Sequence, residues 1–177
     1  AAMLSVGVSI FLFGYIFLDK FKPLKFELFQ WFPNPEINFE FYLDGLSGIM
    51  MVLICRLSLV IQLFSTSYMS KDEKYTKYFE YFNFFVFSML LLVLSGNFLV
   101  MFFGWELVGL SSYLLISFWS EKKSASRAGN KAFILNRIGD FGFLIGLMMI
   151  LNQYQTVNFL NIFNSTLENR PENLDIM

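Results

Sequence analysis

Apolar residues are gathered into five long stretches, separated by segments that carry most of the charged residues. The stretches lie near residues 2–18, 46–69, 79–96, 98–119 and 128–151. A helix that crosses the hydrocarbon core of a membrane needs about 20 mostly apolar residues. The pattern therefore predicts an all-α integral membrane protein with about five transmembrane helices.

Two longer polar segments separate or follow these stretches. Residues 19–45 are predicted to form an extramembrane loop, and residues 152–177 an extramembrane tail. Three prolines disfavour a continuous helix in the loop, namely Pro23, Pro33 and Pro35. Gly96 and Asn97 leave room for only a tight turn between the third and fourth stretches, so these two helices are predicted to be antiparallel neighbours.

The short connections 70–78 and 120–127 are predicted to lie on the same side of the membrane, because successive spans alternate in direction. They carry six basic residues, which are Lys71, Lys74, Lys77, Lys122, Lys123 and Arg127. Since basic residues are retained on the cytoplasmic or matrix side, both connections are predicted to face that side.

The composition supports a membrane protein and excludes several kinds of site. Of the 177 residues, 56% are hydrophobic and 15% are charged, whereas about a quarter are charged in an ordinary soluble domain. The chain contains no histidine, which excludes imidazole metal sites and histidine bases from it. Cys55 is the single cysteine and is predicted to pack in an apolar run. The net charge of −1 argues against nucleic-acid binding.

Ionisable side chains inside the predicted spans are the most informative feature of the sequence. They are Arg56, Glu106, Lys131, Arg137 and Asp140. An isolated charge near the bilayer centre costs roughly 2.5–3.5 kcal/mol on insertion scales, so each should face protein or water and have a partner.

Glu106 is flanked by Trp105 and apolar residues, and loss of hydration favours the protonated form of a carboxylate. It is either a proton carrier or an acid that hydrogen-bonds a neighbouring helix. Arg137 and Asp140 are three residues apart and hence able to pair, as a functional or a structural ion pair. Lys131 and Arg56 lie nearer the span ends, from which they could extend to the interface.

Four segments resemble a known family in the order in which they occur. They are FYLDGLSGIMM (41–51), SLVIQLFSTSYMSKDE (58–73), NFLVMFFGWELVGLSSYLLISFW (97–119) and KAFILNRIGDFGFLIG (131–146). They resemble the Mrp-antiporter-like subunits of respiratory complex I, and within these the distal member, mitochondrial NADH dehydrogenase subunit five.

The resemblance implies a multi-pass subunit of the mitochondrial inner membrane, part of an antiporter-like inverted-repeat bundle that couples quinone reduction by NADH to proton pumping. Glu106 matches the glutamate of the GWE motif, the family's mid-membrane proton carrier. Asp140, with Arg137 beside it, matches the charged group near the next antiporter-like subunit. Lys131 matches a position that is not always basic in the family.

The family's later broken helix, with its lysine, has no counterpart in this sequence. We therefore expect the N-terminal portion of a split subunit, completed by a second polypeptide, or an incomplete chain. The expected partners are other complex I membrane-arm subunits, including the neighbouring antiporter-like subunit, and lipid. No cofactor is expected in this chain, because flavin and iron–sulfur clusters belong elsewhere in the complex, although phospholipid could bind at the bundle surface.

Two other functions are compatible with the same residues. The chain could be a subunit of a multisubunit cation/proton antiporter or of a membrane-bound hydrogenase, which share the GWE-type core. It could also be a fragment that serves as a structural scaffold and does not pump.

Overall fold

The computed structural model describes residues 22–33 and 36–168, so the first predicted span, near residues 2–18, lies outside it. The described chain forms a β-hairpin followed by five helices. The elements are β1 (Leu24–Pro33), β2 (Glu36–Leu43), α1 (Gly45–Tyr68), α2 (Tyr75–Val93), α3 (Phe98–Ile116), α4 (Lys123–Tyr154) and α5 (Phe159–Glu168).

Within that part of the chain, three helices are long and apolar enough to cross a membrane, namely α1, α3 and α4. They correspond to the predicted stretches 46–69, 98–119 and 128–151. The stretch 79–96 is helical too, but α2 begins earlier and takes in Lys77 and Glu80, so it does not reach the apolarity of a spanning helix. The prediction of five spans is therefore supported for three.

The prediction of an all-α chain is wrong for the segment that was expected to be a loop. β1 and β2 pair antiparallel, with Leu24 opposite Leu43 at one end and Pro33 opposite Glu36 at the other. Aromatic side chains stabilise the pair, since the rings of Phe29 and Phe39 stack with centroids 5.3 Å apart. As the prolines indicate, the described residues of this segment form no helix before α1. Pro23 precedes β1, and Pro33 is its last residue.

Asp44 fixes the start of α1 immediately after the hairpin. The Ser47 backbone N–H donates to the Asp44 carboxylate, and the Asp44 N–H donates to the Ser47 hydroxyl, each at 2.7 Å. This reciprocal cap satisfies two backbone donors that the first helical turn would otherwise leave unpaired. One turn or two further on, Met51 and Cys55 pack against Leu43, which confirms the packing role predicted for the cysteine.

α2 and α3 are antiparallel neighbours, as the tight turn at Gly96 and Asn97 predicts. A Cβ atom on Gly104 of α3 would lie 2.8 Å from the Cα atom of Leu92, so the backbones approach closely there. Towards the opposite end, the ring centroids of Tyr78 and Phe118 are 5.6 Å apart.

The two short connections meet at one end of the bundle, as predicted, and we call residues 69–74 and 117–122 together the loop end. The Trp119 indole N–H donates to Asp72 at 3.1 Å, and Lys74 pairs with Glu121 at 2.5 Å. The backbone N–H of Lys74 and the Trp119 indole N–H lower the pKa of the Asp72 carboxyl.

The opposite end is formed by β2, residues 95–97 and residues 155–158, which we call the hairpin end. The Phe98 N–H donates to the Val157 carbonyl at 3.0 Å, and Val157 packs with Ile37 of β2 and Leu147 of α4. The chain enters α5 from this end, so the segment predicted as a tail contains a short helix.

The close contact at Gly104 yields a test of this packing. Gly104→Ala should reduce the stability of the protein by about 1–3 kcal/mol, because the added methyl group meets backbone atoms that have no room to move. The measurement is the thermal midpoint of the detergent-solubilised protein. Gly45→Ala is the control, since a Cβ atom there meets nothing within 4 Å. Equal midpoints for the two variants would contradict the packing of α2 on α3.

Candidate functional site

The site lies between α3 and α4, where small residues let the two helices come close. A Cβ atom on Gly129 would lie 3.0 Å from the Ser117 Cβ atom, which is tighter than an ordinary contact, whereas one on Gly109 would be in ordinary contact with the Asn136 side-chain nitrogen at 3.5 Å. Glycine at such positions permits close helix approach inside a membrane. The facing surfaces of these two helices also carry charged side chains that lie within reach of one another.

Arg137 of α4 lies between two carboxylates. It donates a charge-assisted hydrogen bond to Glu106 of α3, and its Nη1 atom is 3.8 Å from the Asp140 Oδ2 atom. The pairing of Arg137 with Asp140 is the one that their spacing of three residues predicts. The contact with Glu106 joins different helices, and the sequence alone specified no partner for that carboxylate.

Trp105 supplies the fourth member of the cluster, and sequence reasoning did not assign it a role. Its indole N–H donates to the Asp140 carboxylate at 3.1 Å, and its ring stacks with that of Phe143 at 6.2 Å between centroids. The available signal was its place in the GWE motif, beside Glu106. We refer to Trp105, Glu106, Arg137 and Asp140 as the charged cluster.

The charged cluster is largely removed from solvent on its acidic side. The Glu106 side chain is 18% exposed and that of Asp140 is 8% exposed, whereas Arg137 is 47% exposed in this chain. The guanidinium also lies over the Phe133 ring, 4.8 Å from its centroid. Two carboxylates share one cation, so uptake of a single proton makes the cluster neutral. The arrangement is chemically suited to binding and releasing a proton.

The remaining candidates lie elsewhere. Lys131 is exposed on α4, six residues before Arg137, and takes part in none of the ion pairs among residues 22–33 and 36–168. Arg56 is exposed on α1. A cavity of about 410 Å³ opens beside Trp105 and has a mostly apolar lining that includes Tyr42, Leu46 and Phe143.

No group of three or more metal-ligating acids, cysteines or histidines occurs in the part of the chain that the structure describes.

Two family models match the chain in succession. Residues 31–79 match the model described as "NADH-Ubiquinone oxidoreductase (complex I), chain 5 N-terminus". Residues 95–177 match the model described as "NADH:quinone oxidoreductase/Mrp antiporter, TM". The second match includes every member of the charged cluster.

Curated relatives give the same result. NADH-quinone oxidoreductase subunit L of Rickettsia bellii is 41% identical over 128 residues, which cover 72% of this chain and 20% of the relative. NAD(P)H-quinone oxidoreductase subunit 5 of the Arabidopsis thaliana chloroplast is 41% identical over 152 residues, covering 83% of this chain and 20% of that protein. The chain thus spans about a fifth of the length of these relatives.

Two solved structures share the fold. A chain of the Mrp complex from Dietzia superposes with a TM-score of 0.81 at 18% identity, covering 96% of this chain and 18% of that one. A chain of the archaeal membrane-bound sulfane sulfur reductase superposes with a TM-score of 0.76 at 22% identity, covering 89% and 31%.

The shared guanidinium can be tested through stability. Arg137→Gln leaves Asp140 and Glu106 without their shared cation, and loss of one partner of a buried ion pair is strongly destabilising. We expect the thermal midpoint of the solubilised protein to fall by several degrees, and the double variant Arg137→Gln/Asp140→Asn to recover part of the loss, because only Glu106 then lacks a cation. Lys131→Gln removes the same charge from the same helix and should change little. If the double variant is no more stable than Arg137→Gln, the pairing is not what stabilises the cluster.

Proposed function

The chain belongs to the family of NADH:quinone oxidoreductase and Mrp antiporter membrane subunits, and from this we propose that it is a proton-translocating membrane-arm subunit of an NADH:ubiquinone oxidoreductase. The charged cluster between α3 and α4 is the observation that carries the proposal. It puts two carboxylates and one guanidinium between helices that can span a membrane, where unpaired charge is costly.

Glu106 is the proposed proton carrier. When it is ionised, it competes with Asp140 for the Arg137 guanidinium. When it binds a proton, the attraction to Arg137 falls, and Asp140 becomes the stronger partner of the cation. Each proton bound or released therefore moves the balance of charge between α3 and α4.

This change of charge can be passed to a neighbouring subunit without chemical reaction. At the effective dielectric constant of a protein interior, unit charges several ångströms apart still interact by kilocalories per mole. We propose that Asp140 and Arg137 act as the coupling group towards the neighbouring antiporter-like subunit. Lys131 forms no ion pair with the cluster among the described residues, and a role for it in translocation stays a prediction.

Redox chemistry is assigned to other subunits in this proposal. The flavin and iron–sulfur clusters would lie in those subunits. The later helices of the family's fold would complete the translocating unit. The relatives are named as subunits of NADH- or NAD(P)H-quinone oxidoreductases, which supports other membrane-arm subunits as partners of this chain. Lipid is proposed as a further partner because three of the helices are apolar enough to cross a membrane.

The mitochondrial inner membrane is the proposed location. The resemblance of four segments to mitochondrial subunit five supports this location, whereas the relatives from Rickettsia bellii and the Arabidopsis thaliana chloroplast, each 41% identical, come from other membranes. Membrane fractionation with detection of this chain would separate these locations.

The central role of Glu106 predicts the effect of neutralising it. Glu106→Gln keeps the shape of the side chain and should lower the rate of proton translocation by about a hundredfold or more, the lower end of the range for loss of a positioned proton-transfer group. The measurement is acidification driven by NADH oxidation in vesicles that contain the whole complex. Glu121→Gln, at a side chain 79% exposed at the loop end, is the matched control and should pump normally. Unchanged pumping in Glu106→Gln would contradict its role as proton carrier and favour the alternative of a structural scaffold that does not pump.

Removing the Trp105 indole N–H should have a smaller effect on the same measurement. Trp105→Phe keeps the apolar ring but removes the N–H that Asp140 accepts, so translocation should fall several-fold while the assembled complex remains. Trp119→Phe is a close control, because it removes an indole hydrogen bond of the same 3.1 Å length to Asp72 at the loop end. A Trp105→Phe complex that pumps as fast as Trp119→Phe would contradict a role for the indole in translocation.

A further inference from the structure

The hairpin end contains a buried carboxylate that lies outside the charged cluster. Glu40, on β2, is 2% exposed. It accepts hydrogen bonds from the Lys25 ammonium at 2.9 Å, from the Asn158 side-chain amide and, at 3.5 Å, from that of Asn97. A charge that is so completely buried is stable only with several such partners. We call these four residues the Glu40 junction.

Backbone hydrogen bonds join the hairpin, the turn between α2 and α3, and residues 155–158, the last of these through the bond from Phe98 to Val157. The Gly96 N–H donates to the Glu40 carbonyl at 3.0 Å, and the Tyr42 N–H donates to the Leu94 carbonyl at 2.8 Å. A Cβ atom on Gly96 would lie 2.8 Å from the Glu40 Cγ atom, so the turn between α2 and α3 lies directly against this side chain. The hairpin, that turn and residues 155–158 therefore form one polar layer.

The two asparagines connect this layer to the helices. The Asn97 side-chain oxygen accepts from the Val100 N–H at 2.9 Å and caps α3, while its amide nitrogen donates to the Asn38 carbonyl at 2.8 Å. Asn158 accepts from the Leu160 N–H at 3.0 Å at the start of α5, directly after α4 ends. Glu40 therefore binds the side chain that starts α3 and the side chain that follows α4.

α3 is one of the two helices that carry the charged cluster, and the other, α4, ends at Tyr154, four residues before Asn158. Glu106 lies nine residues beyond Asn97 on α3, a rise of about 13 Å along the helix axis. A small slide or tilt of α3 against α4 changes the distance between Glu106 and Arg137, and both charge interaction and proton transfer depend steeply on such distances.

We propose that Glu40 is a positioning residue for proton translocation, which holds the hairpin-side ends of α3 and α4 in the register that lets Glu106 meet Arg137. The inference rests on the translocation function proposed above. Glu40 does not contact the charged cluster, so it acts through Asn97 and Asn158. Lys25 is its cation, and hydrogen bonds from Lys25 to Glu27 and then to Glu40 raise the pKa of Lys25 against the opposing effect of burial.

Glu40→Gln is the direct test, in the intact complex and with Glu27→Gln as the matched control. Glu27 pairs with the same Lys25 at 2.7 Å, but its side chain is 52% exposed. Two quantities are measured at several pH values: the amount of assembled complex, and the proton translocation per assembled complex. Glu40→Gln should shift the midpoint of the pH profile of translocation by on the order of half a pH unit, a threefold change in proton affinity. Glu27→Gln should leave the profile unchanged.

The pH profile separates positioning from a purely structural role. If Glu40 only stabilised the fold, the variant would reduce the amount of complex, and the assembled remainder would pump with the unaltered profile. That outcome overturns the proposal. The double variant Glu40→Gln/Asn158→Asp exchanges carboxylate and amide across one hydrogen bond and should move the profile back towards the original.

A second variant keeps the test decisive if Glu40→Gln does not assemble. Lys25→Met removes the cation of the junction from a side chain that is 38% exposed, and should shift the profile less but measurably. An unchanged profile in Lys25→Met would then overturn the proposal. Failure of the underlying function has a different signature, because Glu106→Gln would pump normally, whatever the result for Glu40.

Discussion

A charge inside a membrane must be matched by a partner, because hydrocarbon provides none. In this chain the requirement is met by one guanidinium that serves two carboxylates on different helices. The other features of the site follow from that sharing. Gly129 on α4 permits a close approach to Ser117, and the Trp105 indole occupies a further acceptor position on Asp140. The cluster is satisfied when ionised, yet has a net negative charge that a proton can neutralise.

Polar groups at both ends of the bundle hold the helices that carry this cluster. At the loop end, Asp72 and Glu121 accept from Trp119 and Lys74, joining the connection before α2 to the one after α3. At the hairpin end, Glu40 joins the strands to both adjacent turns. Between these layers the contacts are mainly apolar, apart from the charged cluster and hydrogen bonds such as that from Gln62 to Asn83. The polar layers therefore define the register of the helices. The apolar stretches define the depth at which the charged cluster lies.

Which features could be predicted from the sequence depends on how far apart in the chain the interacting residues lie. Apolar length predicts α1, α3 and α4, and a spacing of three residues predicts the contact of Arg137 with Asp140, because both are local properties of the chain. The contact of Glu106 with Arg137 depends on how two helices are aligned. The hydrogen bond from the Trp105 indole to Asp140 depends on the direction of a side chain. The hairpin was missed although its strands are adjacent in the chain, because its prolines were taken as signs of a loop. The burial of Glu40 was missed because it depends on Asn97 and Asn158, which lie 57 and 118 residues further along the chain.

The most direct test of the account is to identify the proteins with which this chain assembles. Native separation of mildly solubilised membranes, followed by mass spectrometry of the band that contains the chain, would do so. The account predicts subunits of an NADH:ubiquinone oxidoreductase in the same band. Finding the chain with subunits of a cation/proton antiporter, or with no oxidoreductase subunit, would contradict it.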